Sequence, residues 1–305
     1  MIVDAVVLAL VGILAVLLPF STAYRSRLTR RLADQAGAQV PAAQVPALEA
    51  RVTRRARAMG TGVVVGGVLL FVTALLWPEG SEAPSGGYVL ISLMFVFGAA
   101  GLALVEILRP GEVADGPRWA RTTTPTMADY VPAHARVLSW TFTGVGLAVL
   151  LLTLALTQTR WFDAETVVRS PVPFLVAAVP VLAGLSELAA RRVLDAAQPA
   201  RDEVELYWQD AVRASTLLSL TTPSALVGLL GLVVSGAVLD DAASAAAAAS
   251  GQIGPGWSLW LLIAGYALPF VLVIVAVIVV TRWDHAEPVH FRHRLWDERP
   301  ASVEA

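Results

Sequence analysis

Seven long apolar stretches, separated by polar connections, dominate the pattern of this 305-residue chain. A helix that crosses a bilayer needs about 20 predominantly apolar residues. Soluble helices keep a polar face and barrel strands alternate in polarity, so neither describes these stretches. We therefore predict an all-α, polytopic membrane bundle of seven transmembrane helices, built as one lead helix followed by three hairpins. The predicted spans are residues 2–20, 59–77, 88–108, 137–157, 172–190, 214–239 and 257–280.

The spans define one predicted transmembrane domain, residues 1–283, followed by a cytoplasmic tail, residues 284–305. The first span could instead be a secretory signal, which would begin with basic residues. This span carries Asp4 near its start, and the first arginine, Arg25, comes after its end. We interpret it as a retained helix.

Arginine is confined almost entirely to one set of connections. The segments after the first, third, fifth and seventh spans hold 20 of the 22 arginines, and only Arg160 and Arg169 lie on the other side. Basic residues near span ends stay cytoplasmic. The sequence therefore predicts an N-terminus outside and a C-terminus in the cytoplasm.

Composition excludes several kinds of chemistry. Apolar residues make up 56% and charged residues 15% of the chain, against about 25% charge in a typical soluble domain. The absence of Lys and Cys excludes a retinal or pyridoxal Schiff base, a Walker A loop, a disulfide framework and an iron–sulfur cluster. No cofactor is predicted. The lack of Lys and Asn is typical of a GC-rich genome, so we predict the plasma (inner) membrane of a bacterium.

The long basic connections also hold most of the acidic residues, so their charge is balanced. This pattern does not favour nucleic-acid binding. The predicted partners are the lipid bilayer and proteins that contact the cytoplasmic loops. Within the connections, residues 200–213 have the stripe of a short helix on the membrane surface. Residues 240–256 are typical of a flexible or weakly helical outer loop.

The three predicted hairpins resemble copies of one unit. Each opens after an arginine, at Arg57, Arg136 and Arg213, which gives intervals of 79 and 77 residues. Internal repeats are common in membrane transport folds. Any chain of membrane hairpins with arginine on one side has a similar period. The sequence therefore leaves two explanations open, internal duplication and the regular alternation of spans and connections.

Two acidic residues lie inside the apolar runs, each about one turn before an arginine. Glu106 precedes Arg109 by three residues, and Glu187 precedes Arg191 by four. These spacings favour an ion pair on one helix face, and the side chains at this depth can reach the headgroups. We favour interfacial ion pairs. The alternative is a proton- or cation-coupled role, since charges inside membrane spans are often functional.

The densest polar cluster in any span surrounds Pro223. Its members are Ser219, Thr221, Thr222 and Ser224. Interrupted helices often line substrate sites, although hydroxyl groups also simply join packed helices. With Glu106 and Glu187, the cluster forms the predicted polar or transport site, and helix packing is the alternative.

The tail histidines His285, His290 and His293 are weak metal candidates, because the last two could share a helix face. Ordinary solvation is the alternative, and we predict no metal. Among the small residues, Gly62 and Gly66 have the spacing that permits close helix approach.

Three function classes follow, and no catalytic residue is predicted. The first is a structural, accessory or complex-forming multi-pass plasma-membrane protein. The second is a small transporter or permease subunit with a polar site among the fifth to seventh spans. The third is a membrane-embedded enzyme or sensor. A cavity reaching Thr221 and Ser224 favours the second class, a closed bundle the first, and a cleft joining Glu106, Glu187 and the tail histidines the third.

Overall fold

A computed structural model describes residues 2–76, 86–109, 124–197, 200, 202–252, 254–283 and 290–296. The elements in these ranges are all helices, and seven of them are long and apolar enough to cross a membrane. The predicted all-α class and the seven long apolar helices are thus confirmed, and their orientation in a membrane stays a prediction. In chain order the helices are α1 Ile2–Leu17, α2 Thr22–Ala36, α3 Val45–Leu76, α4 Gly86–Leu108, α5 Met127–Tyr130, α6 Ala133–Leu156, α7 Ala164–Val168, α8 Val172–Asp195, α9 Glu203–Ser250, α10 Gly256–Trp283 and α11 His290–Leu295.

The spans correspond to α1, which a 3-10 turn extends to Phe20, and to α3, α4, α6, α8, α9 and α10. Their helical form follows from the solvent, because backbone N–H and C=O groups in hydrocarbon must be bonded within the segment. α3 and α9 reach well beyond their predicted spans.

The longest helix, α9, differs from the prediction at both ends. It includes residues 203–213 of the predicted surface helix, 200–213, and residues 240–250 of the predicted outer loop, 240–256. Asp202 caps its start by accepting a hydrogen bond from the Glu205 N–H, and Gly251 ends it with a φ of 67°. The predicted loop is helical because it is rich in alanine, which has the highest helix propensity.

Other helices of the protein cover the apolar stripe on the first turns of α9. This stripe, with Tyr207 and Trp208, is buried against α2 and α11. The centroid of the Tyr207 ring lies 5.4 Å from that of Phe291 and 5.3 Å from that of Trp296. The predicted apolar stripe is therefore present, and protein instead of lipid covers it.

One end of the bundle, which we call the arginine pole, consists of α2, α5, α11 and residues 203–213 of α9. A buried apolar cluster joins these elements to the ends of α3, α4 and α8. A second cluster fills the rest of the bundle, mainly from α6, α8 and α9. The helix ends that carry most of the described arginines meet at the arginine pole.

Glycines allow the closest helix crossings. A β-carbon on Gly62 of α3 would overlap the carbonyl oxygen of Phe97 in α4, and Gly66 faces the Phe97 ring. A β-carbon on Gly146 of α6 would likewise overlap the carbonyl oxygen of Gly228 in α9. The predicted close approach at Gly62 and Gly66 is confirmed. Such packing favours helix association in lipid, where the hydrophobic effect does not.

The three predicted hairpins do not pack alike. α3 packs against its chain neighbour α4, whereas α6 packs mainly against α9 and only weakly against α8. α10 contacts chiefly α9 and leaves most of its apolar surface outside the bundle. Internal duplication and the division of the chain at residue 283 stay predictions.

Candidate functional site

Glu106 lies in a buried ion-pair cluster near the arginine pole. Its Oε1 is 3.2 Å from Arg55 Nε, and its Oε2 is 3.5 Å from Arg51 Nη2. The carboxylate side chain is only 3% exposed. The predicted pairing with Arg109 is therefore wrong: Glu106 faces α3 and the bundle interior, while Arg109 is exposed.

The helix crossing explains this pairing. Gly101 of α4 contacts the backbone of α3 at Ala58. One turn further along α4 and one turn back along α3, the close approach brings Glu106 beside Arg55. A spacing rule within one helix could not predict this, because the partner comes from another helix.

Hydroxyl groups of α9 complete the cluster. Arg51 Nη2 and Arg55 Nη1 each donate to Thr216 Oγ1 over 3.4 Å, and Arg55 Nη2 donates to Ser219 Oγ. Two guanidinium groups thus share one buried carboxylate and two neutral acceptors. Hydrogen bonds of this kind allow a buried site to hold two guanidinium groups beside one carboxylate.

A cavity of about 270 Å³ opens beside this cluster, between α2, α3, α4 and α9. Arg51 and Arg55 line it from α3, and Arg31 lines it from α2. Sequence reasoning missed this cavity because its walls come from four separate helices. The only available signal was the density of arginine before and within α3.

A second cavity, of about 230 Å³, lies between α6, α8 and α9. It brings together three predicted site residues, Glu187, Thr221 and Ser224, and adds Arg136. Glu187 forms the predicted pair with Arg191, whose Nε is 2.9 Å from Glu187 Oε1, and both side chains are largely exposed. The predicted pairing on one helix face is confirmed, and its position at the membrane interface stays a prediction.

The six predicted site residues therefore do not form one site. Glu106 and Ser219 belong to the first cluster, and Glu187, Thr221 and Ser224 line the second cavity. Thr222 is exposed, and its hydroxyl donates to the carbonyl of its own helix one turn back.

A buried acid at the arginine pole was not predicted as a site. Asp210 is fully buried and accepts hydrogen bonds from the Tyr130 hydroxyl at 2.9 Å and from Trp296 Nε1 at 3.0 Å. Burial raises the pKa of the Tyr130 phenol, and the negative charge of Asp210 raises it further. The phenol therefore stays a neutral donor. The network ties α5, α9 and the C-terminal segment together.

The tail histidines have different surroundings. His290 Nε2 lies 3.0 Å from the Ala128 carbonyl oxygen, which fixes α11 against α5. His285 lies outside the described residues. Within the described part of the chain, no three His, Asp or Glu side chains come together in a way that could hold a metal ion.

No family model, curated protein or solved structure matches this chain. Its function must therefore be inferred from its own residues.

Proposed function

We propose that this chain is a multi-pass plasma-membrane protein with a structural or accessory role, which binds protein partners through its arginine pole. Seven apolar helices support the membrane assignment. The placement of 20 of 22 arginines on one set of connections supports a cytoplasmic arginine pole, and the composition supports a bacterial inner membrane.

The observation that carries the proposal is the packed layer outside the spans. α2, α5 and α11 are not needed to cross a bilayer, yet they share a buried aromatic core with α9. On the outer side of this layer, Arg27 and Arg30 are exposed on α2, three residues apart and therefore on one helix face. A rigid basic face of this kind fits an acidic surface on a partner protein.

The proposal is tested by the size of the assembly in native membranes. We expect wild-type protein, extracted with polymer nanodiscs and sized by mass photometry, to exceed the mass of one 32.2-kDa chain in its lipid disc. Reversing two charges on the pole, Arg27→Glu with Arg30→Glu, should release the partner. The matched control, Arg160→Glu with Arg169→Glu, changes the same charge at the other end and should leave the assembly intact.

Two results would reject the proposal. The wild-type protein could have the mass of a single chain under every extraction condition, or both pairs of charge reversals could reduce the assembly mass equally. The second result would indicate a nonspecific effect of net charge.

Transport is the second candidate, and the second cavity favours it. That cavity is lined by Thr221 and Ser224 together with Glu187 and Arg136, and a cavity that reaches this hydroxyl cluster favours a permease subunit. Reconstituted vesicles should then show proton-linked uptake that Glu187→Gln abolishes. Equal uptake by wild type and variant would remove this acid from the mechanism.

No observation on the described residues favours an enzyme or sensor. A cleft that joined both glutamates with the tail histidines would have favoured that hypothesis. Glu106 is instead held by α3, Glu187 by Arg191, and His290 by α5.

A further inference from the structure

The geometry points to a binding site for an anionic phospholipid in the 270 Å³ cavity at the arginine pole, where Arg31, Arg51 and Arg55 hold the phosphate and an apolar wall holds the start of an acyl chain. This site goes beyond the proposed partner binding and does not depend on it.

Charge is the first argument. Three guanidinium groups line the cavity, and the carboxylate that faces two of them, Glu106, is buried behind them. Arg51 and Arg55 keep 20% and 17% of their side-chain surface exposed, so a ligand in the cavity can reach them. Guanidinium groups bind phosphate through paired, charge-assisted hydrogen bonds. The site therefore fits a phosphate better than a neutral or cationic group.

The apolar wall is the second argument. Leu28 of α2 and Val52 and Met59 of α3 line the same cavity. Arg51 and Met59 are eight residues apart, about 12 Å along the helix axis. Met59 is exposed and stands at the start of the predicted second span. The cavity thus runs from a basic end to an apolar end that meets the lipid, as the headgroup and first methylenes of a phospholipid require.

The size agrees with a headgroup site. Pockets for whole drug-sized ligands measure about 300–1,000 Å³, so 270 Å³ holds the phosphate and the beginning of a chain while the remainder lies along the bundle. Basic pockets between membrane helices at the cytoplasmic side are suited to anionic headgroups. A free phosphate ion would use the arginines but leave the apolar wall uncovered.

The test compares three ligands on delipidated, full-length protein in a neutral detergent. These are phosphatidylglycerol, phosphatidylcholine with identical chains, and inorganic phosphate. We expect native mass spectrometry to retain one phosphatidylglycerol per chain. We also expect this lipid to raise the melting temperature, whereas phosphatidylcholine and inorganic phosphate at the same concentration do not.

Variants locate the site. Arg31→Gln removes a cavity arginine without touching the Glu106 pair and should weaken phosphatidylglycerol binding about tenfold, the scale of one hydrogen bond between charged groups. Arg30→Gln is the matched control, because it removes the same charge from the exposed face of α2 outside the cavity wall. Val52→Phe keeps every charge but fills the cavity, and should also weaken binding.

Each contrary result overturns the inference in a distinct way. Equal binding of both lipids would exclude anion recognition. A melting shift with inorganic phosphate as large as with phosphatidylglycerol would indicate a free-anion site. Equal effects of Arg30→Gln and Arg31→Gln would indicate bulk charge, and unchanged binding by Val52→Phe would place the lipid elsewhere. None of these results bears on the assembly size that tests partner binding.

Discussion

Replacing Glu106 with glutamine is the most direct test of the buried cluster. The substitution keeps the size of the side chain and removes its charge. Two guanidinium groups, Arg51 and Arg55, would then face each other without the carboxylate that now lies 3.5 Å from the first and 3.2 Å from the second. The folded state loses an attraction and gains a repulsion, so we expect the protein to be destabilised.

The magnitude follows from burial. Removing one partner of a buried ion pair costs about 3–5 kcal/mol, because the other charge is left uncompensated. Glu106 is 3% exposed, but its two partners are 20% and 17% exposed and retain some contact with water. We therefore expect Glu106→Gln to lower the free energy of unfolding by about 3 kcal/mol, the lower end of this range. The matched control is Glu187→Gln, which breaks an exposed i,i+4 pair worth about 0.3–0.5 kcal/mol.

The assay is reversible unfolding in mixed micelles by titration with sodium dodecyl sulfate, monitored by tryptophan fluorescence. The double variant Glu106→Gln with Arg55→Gln should be less destabilised than the sum of the two single variants. Removing both charges relieves the repulsion between guanidinium groups. This double-mutant cycle isolates the coupling from other effects of each substitution.

The expected destabilisation by Glu106→Gln is contradicted if this variant and Glu187→Gln unfold at the same detergent fraction. That result would mean that Glu106 is not buried between two arginines in the folded protein. Strict additivity in the cycle would mean that Glu106 and Arg55 do not interact.

Four further outcomes are expected. Gly146→Ala should destabilise the bundle by about 1–3 kcal/mol through overpacking, whereas Gly144→Ala, where a β-carbon meets no atom within 4 Å, should be neutral or stabilising in the same assay. Trp296→Ala should release the C-terminal segment from α9 and speed its cleavage in limited proteolysis; unchanged cleavage would contradict the docking. The chain has no native Cys, so a single cysteine that replaces Glu82 should react with an impermeant maleimide in whole cells. If this cysteine reacts only in inverted vesicles, the orientation of the protein is the reverse of the proposed one. Tyr130 should ionise above the ordinary tyrosine pKa, because burial and then Asp210 raise its pKa. Its stabilising contribution therefore holds below about pH 10 and is lost as the pH rises through the raised pKa. In a tyrosinate absorbance titration, Tyr130→Phe should leave the absorbance rise near pH 10 unchanged, and a smaller rise there would contradict the prediction.

The spans could be predicted from sequence because span length and apolar content are local properties. The pair of Glu187 and Arg191 was predictable for the same reason, since both residues lie on one turn of α8. Helical spacing is enough when both partners belong to one helix.

The partners of Glu106 could not be predicted because Arg51 and Arg55 come from another helix, more than 50 residues away. Their approach depends on the contact of Gly101 with α3, which no local pattern specifies. Asp210 and Trp296 are similarly separated, by 86 residues. An amphipathic stripe such as that of residues 203–213 predicts that its apolar side chains are buried. It does not indicate whether lipid or protein buries them.

The length of α9 has a mechanical consequence. Its 48 residues span about 72 Å at 1.5 Å per residue, more than twice the roughly 30 Å of a hydrocarbon core. Ser215, Thr221 and Asp210 all lie on this helix, so the 270 Å³ cavity, the second cavity and the docking point of the C-terminal segment share one backbone. Tilting this helix as a whole would therefore displace all three together.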